Sequence, residues 1–286
     1  MNQERIKQWK KFFRRLFSRK LVVVAASLVL FFIIAAVFAP FLTPYGPYQQ
    51  DLSNVLTKPT TAHWLGTDRS GRDVLTRILY GARTSLAIGV VSVAIAAVMG
   101  TLLGLISGYY GGLVNMVLSR IIDMMMSIPS LMLALALALV FGRNMGSLMI
   151  VLGISTVPTY TRLMNVQVLS IKNADYIMAE KVLGAGNIRI LFTHILPNCL
   201  SPIIVLLTAN IGMTILAESS LSFLGMGVNP PTASWGGMVS DGTTQLLINP
   251  VFALAPGICI MLLVFGFNVL GDGLRDALDP RLRGSI

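Results

Sequence analysis

The stretch Asp175 to Asn198, DYIMAEKVLGAGNIRILFTHILPN, is polar and helix-patterned inside a chain that is otherwise mostly lipid-soluble. Asn173 or Asp175 is placed to cap a helix, and Tyr176 to Leu183 contains no helix breaker. Gly184 and Gly186 then end that helix, because glycine readily takes the left-handed backbone that follows a last helical turn. Asn187 is placed to cap a second helix running towards Pro197. The expectation is helix, glycine turn, helix: a polar docking device set between apolar segments.

The surroundings explain why such a device stands out. Of the 286 residues, 55% are hydrophobic and 12% charged, far below the roughly 25% charged of a soluble domain. This is the composition of an integral membrane protein. The net charge of +10 is concentrated, with eight of the 22 Lys and Arg in residues 1–20, directly before a long apolar run. Juxtamembrane basic residues favour an anionic leaflet and set topology, so membrane lipid and not nucleic acid is the expected partner. Cys199 and Cys259 lie in apolar stretches and form no motif, which argues against a disulfide framework or a metal site.

Six apolar runs follow in order. Leu21 to Ala39 is too long and uniform for a signal-peptide core, so it is expected to remain as an anchor closed by Pro40. Residues 43–83 are rich in Pro, Gly and Tyr and read as an extracytoplasmic excursion, with Val74 to Tyr80 a short interfacial helix. There Asp68, Arg69, Arg72 and Asp73 are expected to brace the loop through hydrogen bonds and ion pairs. Thr84 to Ser107 is span two, whose Gly100, Gly104 and Gly108 at four-residue spacing offer a smooth groove to a neighbouring helix. Met124 to Gly142 is span three, kinked at Pro129, with Arg120 and Asp123 paired near its start. Met145 to Tyr160 is span four, whose Pro158 marks the exit. Cys199 to Phe223 and Pro250 to Gly271 are spans five and six, separated by an outer segment, 225–249. Counting from the basic lead, both termini and residues 161–198 are cytoplasmic.

A resemblance enters with three motifs. Gly184, nine intervening residues and His194-Ile195-Leu196-Pro197 resemble the EAA loop of the inner-membrane permease subunits of ABC importers, with Met178, Ala179 and Glu180 at the Glu-Ala-Ala positions. The usual leading acid is therefore absent. His63-Trp64-Leu65-Gly66-Thr67-Asp68, Gly71-Arg72-Asp73-Val74 and Tyr80-Gly81-Ala82-Arg83-Thr84-Ser85-Leu86 look like the signature of the dipeptide/oligopeptide/nickel branch. Glu218-Ser219-Ser220-Leu221-Ser222-Phe223-Leu224-Gly225 with Ser234-Trp235-Gly236 supports it, and together the motifs run from about Trp64 to Arg283.

The resemblance implies an all-α type I importer permease with six transmembrane helices and a cytoplasmic coupling loop. It divides the chain into 1–83 (lead, anchor and outer segment), 84–273 (permease core) and 274–286 (tail), in a bacterial inner membrane. It implies a second permease subunit, ATP-binding cassette ATPases and an extracytoplasmic solute-binding protein as partners, and assigns ATPase coupling to Asp175, Ala179, Glu180, Gly184 and Pro197. No cofactor is implied.

The residues themselves exclude some chemistry. No G-x-x-x-x-G-K-[ST] phosphate loop occurs, so ATP hydrolysis by that route falls to a partner. His63 and His194 lie on opposite sides in this topology and cannot share a metal. An ion-coupled secondary transporter, which favours inverted repeats and intramembrane charge, has only Glu218 in its support; an assembly or receptor protein would leave the polar loop without a purpose. Glu218 itself needs a reason at membrane depth. Either it borders the cavity, where a carboxylate suits a peptide's α-ammonium, or it braces the spans by pairing with Arg83 or the partner permease.

Overall fold

The computed structural model describes residues 10–278; Trp9 with the rest of residues 1–9, and the tail beyond residue 278 with Arg281 and Arg283, lie outside that range. Among the described residues the regular structure is helical, without a strand. The helices are α1 (Lys20–Leu42), α2 (Val74–Tyr110), α3 (Gly112–Met126), α4 (Ser130–Phe141), α5 (Met145–Ile171), α6 (Asp175–Val182), α7 (Asn187–Phe223), α8 (Trp235–Thr243) and α9 (Pro250–Leu278). Four of them, α1, α2, α7 and α9, are long and apolar enough to cross a membrane, and the bent pair α3–α4 would make a fifth.

Several boundaries differ from expectation. Pro40 does not close α1, which continues to Leu42; a proline this near the end forfeits a single helical bond. Val74 to Tyr80 is not a separate interfacial helix but the start of the 37-residue α2. Asp73 caps it, accepting from the Thr76 backbone N–H at 2.7 Å, and no proline interrupts it. At 1.5 Å per residue α2 reaches about 55 Å, far beyond the roughly 30 Å of a hydrocarbon core. Expected span three is broken: α3 and α4 meet at 92°, separated by Ser127-Ile128-Pro129, where Pro129 precedes the first residue of α4. Pro158 does not mark an exit. It lies inside α5, which extends to Ile171 and so takes residues 161–171 out of the expected polar loop. The segment 225–249, expected outside, contains α8.

The glycine stripe packs as expected. α2 and α5 lie against each other along Gly100, Gly104 and Gly108. A Cβ at Gly104 would run into the Thr161 carbonyl, and one at Gly108 would sit 2.8 Å from Val168 Cβ. Polar side chains tie α5 to α2 and to α3 at one end, where Asn165 Nδ2 donates to Ser107 Oγ at 2.7 Å and to Asn115 Oδ1 at 2.9 Å. Asp123 does not pair with Arg120; its partner is Arg162 of α5. The bend between α3 and α4 does not prevent α3 from packing on α5.

The buried core runs the length of the bundle. It links Phe32 of α1 and Trp235 of α8 near one end to Ile177, Ile190 and Ile195 at the other. Trp235 is wholly buried: its indole N–H donates to the Ile78 carbonyl at 2.9 Å and its ring meets Phe32 edge-on at 5.4 Å.

Candidate functional site

The polar loop is a short helix, a glycine turn and the first turns of a long one. Neither Asn173 nor Asp175 caps α6; Ala174 occupies the cap position and Asp175 lies in the first turn, where its charge suits the helix dipole. The turn itself is a Schellman arrangement. The Ala185 N–H donates to the Glu180 carbonyl and the Gly184 N–H to the Lys181 carbonyl, both at 3.0 Å, with Gly184 at φ +80. Gly186, not Asn187, caps the second helix. That helix does not stop at Pro197 but runs without a break to Phe223, through a wider π-type turn at Ile190–Ile195. Pro197 falls in its interior, next to that turn.

The loop is anchored by what it buries. Ile177, Ile190 and Ile195 are fully buried and join the core formed with Leu105 and Val168. Polar contacts add direction: Tyr109 Oη donates to Asn187 Oδ1 at 2.8 Å, Lys181 Nζ sits 5.6 Å over the Tyr109 ring, and Lys172 Nζ reaches the Gly108 carbonyl at 3.0 Å. Glu180 Oε1 and His194 Nε2 are 3.5 Å apart. Sequence spacing did not reveal these links, because each joins the loop to the end of α2 or across its own turn.

Beside its charged side chains, Asp175, Lys181 and Arg189 among them, the loop exposes large apolar ones. Val182 is 87% exposed, Leu183 82% and Ile188 73%, with Tyr176 and Met178 about half exposed and Ala179 exposed beside them. A polar stretch thus presents a cluster of large hydrophobic side chains around the Gly184 turn, a composition that marks an interaction surface.

Glu218 lies at the other end of α7. It is fully buried, accepts from Ser222 Oγ at 2.8 Å, and its second oxygen has no hydrogen-bond partner among the described residues. Ser219 and Ser234 complete its polar surround. A Cβ at Gly236 would lie 2.5 Å from Ser219 Cα, so the start of α8 is seated directly on the Glu218 turn. The motifs Glu218–Gly225 and Ser234–Gly236 therefore form one junction. Arg83 is not part of it: exposed, it lies with its guanidinium carbon 5.8 Å from the centre of the Tyr80 ring.

Residues 43–73 cover the same end of the bundle. Asp68 pairs with Arg72 at 2.7 Å and Arg77 at 3.3 Å, His63 with Asp73 at 2.9 Å, and Arg69 with Asp241 of α8 at 2.7 Å. The expected bracing network is present, and Arg77 and Asp241, which the sequence did not single out, belong to it.

A bundle of apolar helices with a polar, apolar-tipped loop at one end and a charged cap at the other is the form of a membrane transport permease. Residues 100–284 match the family described as the binding-protein-dependent transport system inner membrane component, and residues 7–59 match the N-terminal TM domain of oligopeptide transport permease C. The dipeptide transport system permease protein DppC of Alkalihalophilus pseudofirmus is 44% identical over 97% of this chain and 91% of its own length. The glutathione transport system permease protein GsiD of Pectobacterium atrosepticum is 40% identical over 96% and 92%. A solved structure of the MetNI methionine ABC transporter, in inward-facing conformations, superposes with a TM-score of 0.59 over 71% of this chain and 97% of its own, at 17% identity, which shows the shared fold. The chain belongs to the binding-protein-dependent transport permease family and is an inner-membrane permease of the ABC importer type.

Proposed function

We propose that this chain is one of two permease subunits of an ABC importer for dipeptides or glutathione-like peptides, and that α6 with the Gly184 turn receives its ATPase. The observation that carries the coupling role is the exposed cluster of Val182, Leu183 and Ile188 on a loop held rigidly to α2, α5 and α7. A surface that moves as one body with the spans can transmit closure of an ATPase dimer to them. The peptide class is supported by the two relatives, whose names specify dipeptide and glutathione transport.

In this reading the chain crosses the membrane six times, through α1, α2, the bent α3–α4 pair, α5, α7 and α9. Both termini and α6 are cytoplasmic, and residues 43–73 and α8 lie outside, where a solute-binding protein docks. The half-exposed Asp123–Arg162 pair lines a groove of ≈ 320 Å³ with Ser107, Ser119 and Asn165. Ionisable groups facing lipid are costly, which supports a water-filled pathway shared there with a second permease. ATP hydrolysis belongs to the partner subunits. Nothing in the geometry favours ion coupling, since Glu218 is enclosed by its own serines.

The test is co-purification in mild detergent followed by reconstitution. ATPase subunits and a second permease should accompany the chain, and solute with its binding protein should stimulate ATP hydrolysis. A chain that purifies alone and transports in response to an ion gradient would overturn the reading.

A further inference from the structure

Beneath residues 43–73 lies a cavity of ≈ 390 Å³, bordered by Asp68, Arg69, Arg72, Arg77, Pro231 and Asp241. Three guanidinium groups face two carboxylates, and the two carboxylates are not evenly shared. Asp241 pairs with Arg69, where both side chains are 36% or more exposed. Asp68 alone serves both buried arginines. Its Oδ1 takes the backbone N–H groups of Ser70 and Arg72 at 2.8 and 3.0 Å, and its Oδ2 takes Arg72 Nε. Arg77 shares the same oxygen at a longer distance, its Nε lying 3.3 Å from Asp68 Oδ2, and its Nη1 reaches the carbonyls of Pro47 and Pro231, each at 3.3 Å.

The arginines are correspondingly under-neutralised. The Arg77 side chain is 6% exposed and its Nε lacks a hydrogen bond; the Arg72 side chain is 10% exposed and bonds Asp68 through its Nε. Two buried guanidinium groups that share one carboxylate are only partly neutralised, which is expensive. An anion entering the cavity would relieve that cost, and a guanidinium fork matches a carboxylate in shape as well as charge. The space is of the size that holds a small organic molecule, not a bare ion, since one water occupies about 30 Å³.

We propose that this cavity is a carboxylate-binding site, in which Arg72 and Arg77 hold the terminal carboxylate of the transported peptide as it arrives at the outer face. This rests on the importer reading above. Dipeptides and glutathione share that group, so the site would recognise the end common to the class and leave the side chains unread.

The test uses the purified complex of both permeases and the ATPases, without binding protein, and an acetylated dialanine as probe against its C-terminal amide. The free acid should raise the melting temperature of the complex and bind about tenfold or more tightly than the amide, the usual scale for losing a charge-assisted pair. Arg72→Gln should abolish the difference. Gln50 is exposed where it lines the cavity and makes no hydrogen bond with its side chain to the arginines; Gln50→Trp should fill the space, weaken the acid and leave the ion pairs untouched. Equal effects of acid and amide, or of chloride and acid, overturn the proposal, as does unchanged binding in Gln50→Trp. If Arg72→Gln does not assemble, Gln50→Trp decides. Solute-stimulated ATP hydrolysis that persists while the probe shows no carboxylate dependence removes this site and leaves the importer reading standing.

Discussion

Glu180 Oε1 lies 3.5 Å from His194 Nε2, so the first helix of the loop faces the π-type turn of the second across the glycine turn, in contact but without a hydrogen bond. Both side chains are about a quarter exposed, and a pair of this kind contributes only about 0.5 kcal/mol. Glu180→Ala should therefore leave folding and assembly intact and change solute-stimulated ATP hydrolysis by roughly twofold. A loss of coupling as deep as that of an unassembled complex would show instead that Glu180 contacts the ATPase directly.

Gly184→Val should insert and assemble yet uncouple. A Cβ there meets no atom within 4 Å, so the substitution is not blocked by contact; the obstacle is φ +80. A β-branched residue pays about 1–2 kcal/mol for that conformation, whereas Asn tolerates it. The order Gly184, Gly184→Asn, Gly184→Val in stimulated ATP hydrolysis is the expected series. Equal activity for all three would remove the turn from the coupling role.

Leu183→Asp and Val182→Asp test the docking face. These side chains touch little of their own chain, so stability in detergent should change by no more than about 0.5 kcal/mol. ATPase subunits should be lost on purification of the double variant. Retention of a full complement of ATPase would place the interface elsewhere.

The proposed sidedness is checked with single cysteines at Ser53 and Asn173, both exposed. An impermeant thiol reagent should label Ser53→Cys in intact cells and Asn173→Cys only in inverted vesicles. Labelling of both from one side would reverse or break the six-crossing path.

How far the sequence reaches can be judged from these positions. Gly184 was legible because a positive φ needs glycine whatever surrounds it, and the Gly100–Gly104–Gly108 stripe because small residues at helical spacing have one use. Proline misled: Pro40, Pro158 and Pro197 were read as ends, yet all three sit inside helices. In a membrane-spanning bundle neighbouring helices hold a helix together across a missing N–H, whereas at Pro129 the break is complete. Partners were least legible. Asp123 finds Arg162 thirty-nine residues away and not Arg120 three away, and Glu218 finds the serines of its own turn and of α8 and not Arg83. Local spacing says which groups can meet on one helix; the choice among them is made by tertiary packing.

Glu218 provides the last prediction, because the geometry separates its two expected roles. Its carboxylate is enclosed by Ser219, Ser222 and Ser234 and covered by the start of α8, which fits a brace between α7 and α8. Glu218→Ala removes the acceptor of Ser222 Oγ and leaves a void under Gly236, a combination that costs about 1–3 kcal/mol. Glu218→Gln keeps the shape and an acceptor, so it should retain uptake and lose much less stability. Trp235 reports the difference directly, since its ring is buried next to that junction and its backbone N–H is 3.4 Å from Ser85 Oγ. In a background where Trp9 and Trp64 are Phe, its emission should shift to the red in Glu218→Ala, together with a lower melting temperature of the complex, and stay in place in Glu218→Gln. Normal emission and melting in both variants, with uptake lost in both, would instead make the carboxylate charge itself part of the pathway.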